Sequence, residues 1–211
     1  MVLLMSTPRF DLFLAIHKGI RLALADLLTR MGRADFADAA ASERIASDLG
    51  LVLALCEDHR RTEDEIIFPN LRSRMSGDLV AILDDHAEQP RMVEELLAAS
   101  RTLVAESADN RPRVGRVLYL HFSKLVGELL AHMAEEEQVA SPLFDRLFSQ
   151  EEVMGIHAKV MAFLTIEEHF RGAKFILKGL NRPERIALMT GALAVFPKEA
   201  VVALVDAGFS S

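Results

Sequence analysis

The chain has 211 residues, 51% of them hydrophobic and 26% charged, with 24 Lys and Arg against 31 Asp and Glu for a net charge of −7. This is a globular composition for one to two domains, and the acidic balance excludes a phosphate-backbone binder, which needs a basic face. The single cysteine, Cys56, excludes an internal disulfide and a cysteine-built zinc or iron–sulfur site. The apolar run Leu49–Cys56 is too short to span a membrane, and the Met1–Met5 start lacks the basic residues of a signal peptide. A cytoplasmic protein that engages neither nucleic acid nor membrane is expected.

In chain order, Thr7-Pro8 reads as the N-cap and first-turn proline of a helix over 8–31, ended by Met31-Gly32. A second helix is predicted over 40–68, stopping at Phe68-Pro69. Ser76-Gly77-Asp78 opens a third over 77–107, and Asn110-Arg111-Pro112 a fourth over 112–141, which stops before Pro142. Apolar residues recur at helical spacing throughout, with no alternating strand pattern. Short connections make neighbouring helices antiparallel, so residues 1–148 are expected as an all-α, up-down four-helix bundle. Beyond it, Ser149-Gln150-Glu151-Glu152 forms a capping-box pattern that starts a helix to about Leu180. Asn181-Arg182-Pro183 and Phe196-Pro197 open two short helices. Residues 149–211 are thus expected as a helical C-terminal extension, packed on the bundle or forming a homodimer contact.

Each long helix carries one histidine in a heptad row that faces the core: Phe10–His17–Leu24–Met31, Ile45–Val52–His59–Ile66, Leu79–His86–Val93 and Leu118–Leu125–His132–Val139. Glu63 follows His59 by four residues and Glu136 follows His132 by four, in the rows Leu49–Cys56–Glu63 and Phe122–Leu129–Glu136. Positions i and i+4 share a helix face, about 6 Å apart along the axis. Burying two carboxylates and four imidazoles without a partner is costly, and a metal offsets that cost. Depth agrees. His17 and His86 each lie nine residues from a predicted helix start, His59 and His132 nine from a predicted stop, or about 13.5 Å of helix. An up-down bundle brings all four to one level. The pattern also repeats: a lone His, then His-x3-Glu, then a proline ten residues after the second histidine, Pro69 or Pro142.

Six such ligands suit two metals, each with two histidines and both glutamates bridging. An oxo or hydroxo bridge then leaves one open position per octahedral ion for a small ligand. Imidazole with carboxylate favours iron, and zinc or manganese fit the same set.

Taken together, His17, His59-x3-Glu63…Phe68-Pro69, His86 and His132-x3-Glu136…Pro142 resemble the hemerythrin-like HHE domain family over residues 8–148. The resemblance implies a non-haem di-iron centre ligated by His17, His59, Glu63, His86, His132 and Glu136. It also implies a small-ligand partner, O2, peroxide or nitric oxide. Oxygen-carrying members have a second histidine four residues after the one in helix 3; here that place is Pro90, which points away from long-lived O2 storage. The expected function is binding or sensing of O2 or a related small ligand. Peroxide decomposition, or the handling of nitric oxide or iron-centre repair, is the enzymatic alternative, and a zinc-bound or metal-free interaction protein is the third. His121 is too far along its helix to join the site, and His157 and His169 are expected to be structural or exposed. Glu135 and Glu137 are expected on a solvated face, and Cys56 as an inert buried thiol. Pro90 is expected to kink the third helix near the metal.

Overall fold

The computed structural model describes residues 9–75, 88–195 and 197–209, and among these it is helical, with no strand. Helix α1 spans Leu14–Arg33 and α2 spans Ala39–Thr62; α2 continues through a π-helical turn, Glu63–Ile67, into α3, Phe68–Arg72. Then come α4 (Gln89–Ala105), α5 (Arg111–Leu147), α6 (Gln150–Phe163), α7 (Ile166–Gly179), α8 (Arg182–Val195) and α9 (Lys198–Phe209). Each of α1, α2, α4 and α5 packs on two of the others, so the four close into a bundle: α1 on α2, α2 on α4, α4 on α5 and α5 on α1. No described helix is long and apolar enough to cross a membrane.

Local chemistry explains the boundaries, including those that differ from expectation. The Thr7-Pro8 start lies outside the described residues. Helix α1 begins later, at Leu14, because the Asp11 carboxylate accepts the amides of Phe13 and Leu14 at 2.8 and 2.9 Å. Neither Pro69 nor Pro142 ends its helix. A mid-helix proline removes one hydrogen bond and costs about 3 kcal/mol. Continuing past each proline buries Leu71 on one side and Leu143 and Phe144 on the other, in a cluster with Phe13 and Phe68. Burying a large apolar side chain contributes about 1.5–3 kcal/mol, so the three together offset a cost of the same order. In the third helix the described part starts at Gln89, and Pro90 sits in its first turn, where its missing amide has no helical partner to lose. The expected earlier part of that helix, 77–87, lies outside the described residues, and so does the proposed kink.

The expected helix from Ser149 to Leu180 is two helices. Ser149 and Glu152 make the reciprocal capping box at the start of α6, and Thr165 and Glu168 make a second one that opens α7. The Thr165-x-x-Glu168 signal was present in the sequence, but the apolar periodicity on both sides hid it. Helix α7 lies against α1 with almost no side chain between them. A Cβ on Gly19 would stand 2.9 Å from the Ile176 amide nitrogen, and one on Gly179 would stand 2.6 Å from the Lys18 carbonyl oxygen. Only glycine permits that approach. Helix α7 is also tied to α2, Arg61 pairing with Glu168 at 2.9 Å and Arg171 with Asp58 at 3.2 Å.

Candidate metal centre

Side chains from α1, α2, the π turn and α5 converge in the bundle core. His17 Nε2 lies 3.0 Å from His59 Nε2, 3.4 Å from Glu136 Oε2 and 3.8 Å from Glu63 Oε1. His59 Nε2 is 2.9 Å from Glu63 Oε1. One ligating atom from each of His17, His59, Glu63 and Glu136 falls within 4.8 Å of all the others. His132 stands beside this group, its Nε2 3.3 Å from Glu136 Oε1. His86 lies outside the described residues. The other histidines stay apart from the cluster: His121 is exposed, His157 packs its ring on Phe10 at 4.6 Å, and His169 Nε2 bonds the Met161 carbonyl at 2.9 Å.

The backbone that places Glu63 is unusual. Phe68 N–H donates to the Glu63 carbonyl five residues back, so the helix is one residue wider per turn there. Pro69 accounts for it. Its ring conflicts with the carbonyl four residues before it, that of Glu65, and a widened turn relieves the conflict. The proline ten residues after His59 thus shapes the turn that starts at its carboxylate partner.

His17, Glu63 and Glu136 are at most 1% exposed. Burial holds the His17 imidazole far below its usual range, reinforced by the charges of His59, Arg21 and His132. Burial also holds His59 at about 4. Both rings are therefore neutral at neutral pH. Glu137 Oε1 accepts from His17 Nδ1–H at 2.9 Å, which leaves the His17 Nε2 lone pair aimed into the cluster. Arg21 grips Glu137 with two bonds, 2.5 and 3.2 Å. This is a carboxylate–histidine support of the kind that orients metal ligands.

The carboxylates are in the opposite position. Burial pushes Glu63 up to about 8 and raises Glu136, which the Glu63 charge raises further. Both oxygens of Glu136 are buried and neither takes a well-formed hydrogen bond. Inward lone pairs on neutral imidazoles beside buried carboxylates make a cation site, and the nitrogen–oxygen donor set suits a transition metal. A family model for the hemerythrin HHE cation binding domain matches residues 9–144. The chain belongs to the hemerythrin HHE cation-binding domain family. Searches of curated proteins and of solved structures found no match.

In this HHE domain the approach to the cluster is narrow. A cavity of about 10 Å³ is lined by His59, Glu63 and His132 together with Ile20, Cys56, Arg60, Gln89, Leu129 and Met133. That is room for about one water-sized molecule. A cleft of about 250 Å³ between α4 and α5 shares His132, Leu129 and Gln89 with it. Sequence reasoning missed Glu137 and Arg21 as parts of the site. Glu137 was expected in solvent, yet it is only 27% exposed and spans from α5 to α1. Arg21 lies four residues after His17, the one local sign of a link, but nothing within α5 points to it.

Proposed function

We propose that this HHE domain holds a bridged pair of iron ions and uses it to bind, sense or react with O2, peroxide or a related small ligand. The ligands assigned are His17, His59, Glu63, His132 and Glu136, with His86 as the sixth. The observation that carries the reading is the pairing of neutral inward imidazoles with two buried carboxylates, beside a cavity too small for a bulky substrate. Iron in that position supplies redox chemistry toward O2 or peroxide.

The remaining roles belong to the chain. Glu136 faces His17 through one oxygen and His132 through the other, the placement a bridging carboxylate needs. Glu63 Oε1 stands near both His17 and His59. Glu137 keeps the His17 proton on Nδ1, away from the metal side. Ile20, Leu129 and Met133 line the cavity and limit water around it. A hydrolytic centre needs a free general base and space for its substrate, and here both inward carboxylates sit among the imidazoles. The compartment proposed is the cytoplasm, where a free thiol such as Cys56 stays reduced. Self-association through the C-terminal helices is also proposed, because α8 exposes Ile186 and Leu193 by 57% and 52%.

Protein made in iron-rich medium should contain about two irons per chain, as expected for six inward ligands. The reduced form mixed with O2, or the oxidised form mixed with peroxide, should give a stopped-flow absorption change. Silence in both, with hydrolysis of an ester or phosphate, overturns the reading. Zinc in place of iron after growth in iron-rich medium overturns it as well.

A further inference from the structure

Among the described residues, the small cavity and the larger cleft share Gln89, Leu129 and His132. Leu129 is apolar and almost fully buried, and His132 is engaged with Glu136. Among the described residues that line the cavity, the other polar, non-ligand side chain is Arg60, and its guanidinium is committed: it bonds Glu57 at 2.9 and 2.5 Å and also pairs with Asp64. Gln89 is half-buried, and its amide makes no hydrogen bond among the described residues. Its backbone is set firmly. It is the first residue of α4 with Pro90 next, and Met92 N–H closes that turn on the Glu88 carbonyl at 3.2 Å.

A primary amide offers two N–H donors and one acceptor. At the threshold between cleft and cavity it meets any small molecule that passes toward His59, Glu63 and His132. We propose that Gln89 is a ligand-contacting, specificity-determining residue of the centre, whose amide donates a hydrogen bond to the outer atom of the bound small molecule. The proposal rests on the reading of the cluster as an iron site. It selects ligands whose outer atom carries an accessible lone pair, such as O2, peroxide or azide, over carbon monoxide, which accepts hydrogen bonds poorly.

Azide is the probe, titrated into the oxidised, iron-loaded full chain and followed by its charge-transfer absorption. Gln89→Leu keeps the bulk and removes the donor. Its azide affinity should fall roughly 12- to 150-fold, the range for one hydrogen bond to a charged group. Gln89→Glu removes the donor and opposes an anion with a carboxylate, so its loss should be larger. Iron content and melting temperature should match wild type in both, because Gln89 is half-exposed and outside the ligand set, and they are measured alongside. Equal azide affinity in all three proteins at equal iron content overturns the Gln89 assignment and leaves the iron reading standing. Iron-loaded wild type that binds no azide overturns the assignment in the same way. A wild-type protein that takes up no iron overturns the iron reading, and the assignment with it.

Discussion

The segments His59–Glu63–Pro69 and His132–Glu136–Pro142 have the same residue types at the same spacing, yet they fold differently. In the first, Pro69 follows a widened π turn that begins at the carboxylate, and the imidazole side chain is 9% exposed. In the second, α5 runs as regular α-helix from Arg111 through Pro142 to Leu147, and the imidazole is 15% exposed where the cleft reaches it. A sequence repeat therefore specifies which donor atoms arrive, and the packing around each copy decides how they are held and which one meets solvent. Both halves line the small cavity, and the second also lines the cleft through His132.

Removing an imidazole from each half is the strongest way to break this contrast. His59→Ala should take iron from about two per chain to less than one, whereas His132→Ala should keep roughly one, since it leaves the four-donor group of His17, His59, Glu63 and Glu136 intact. His157→Ala and His169→Ala should leave the content unchanged. Elemental analysis of the four proteins decides it, and equal loss in the first two abolishes the distinction between halves.

The two halves are joined through Glu137, which reaches from α5 to His17 and Arg21 on α1. Glu137→Ala should weaken metal affinity about 10- to 100-fold, the usual effect of losing a partner that orients a ligand. Competition with a chelator of known affinity measures it. An unchanged affinity means that packing alone orients His17.

Protons compete with the metal, and the sign follows from which groups hold them. His17 and His59 are held neutral well below pH 6, so they release nothing on binding near neutrality. Glu63, raised to about 8, still holds its proton at pH 7 in the metal-free fold. Affinity should therefore rise as pH increases from 6 to 8 and level off above, with a slope of up to about tenfold per pH unit for one released proton. In the metal-free protein the same raised group lowers stability as pH rises toward 8, because the unfolded chain gives up that proton near its ordinary value. Calorimetry in two buffers of different ionisation enthalpy reads the proton count. A count of zero at pH 7 shows that Glu63 is ionised before the metal arrives.

The smallest effects belong to the prolines. Pro142→Ala should restore a backbone bond within a continuous helix and stabilise the metal-free protein by about 1–2 kcal/mol, part of the cost of a mid-helix proline. Metal affinity should not change. Pro69→Ala should instead let the π turn tighten, alter the placement of Glu63 and weaken metal binding. Urea denaturation and metal titration on both variants sharpen the comparison; identical behaviour shows that Pro69 does not set the π turn.

Much of the centre was legible because its signals are local. A heptad row and an i,i+4 spacing depend only on helix geometry, so they placed His17, His59, Glu63, His132 and Glu136 on inward faces before any neighbour was known. The helical character of the described residues followed from the same periodicity. Other features depend on what lies across from a residue. The Phe13, Phe68 and Phe144 cluster carried the helices past Pro69 and Pro142 against a strong local stop signal. Glu137 is adjacent to Glu136 in sequence and reads as solvent-facing from its own helix; only the approach of α1, with His17 and Arg21, makes it part of the site. Gly19 and Gly179 carry no periodic signal, yet they let α7 lie backbone to backbone on α1. Side-chain direction along a helix is encoded within a few residues of chain. The identity of the partner that meets it is not, because that depends on residues far away in the chain, 120 positions for His17 and Glu137.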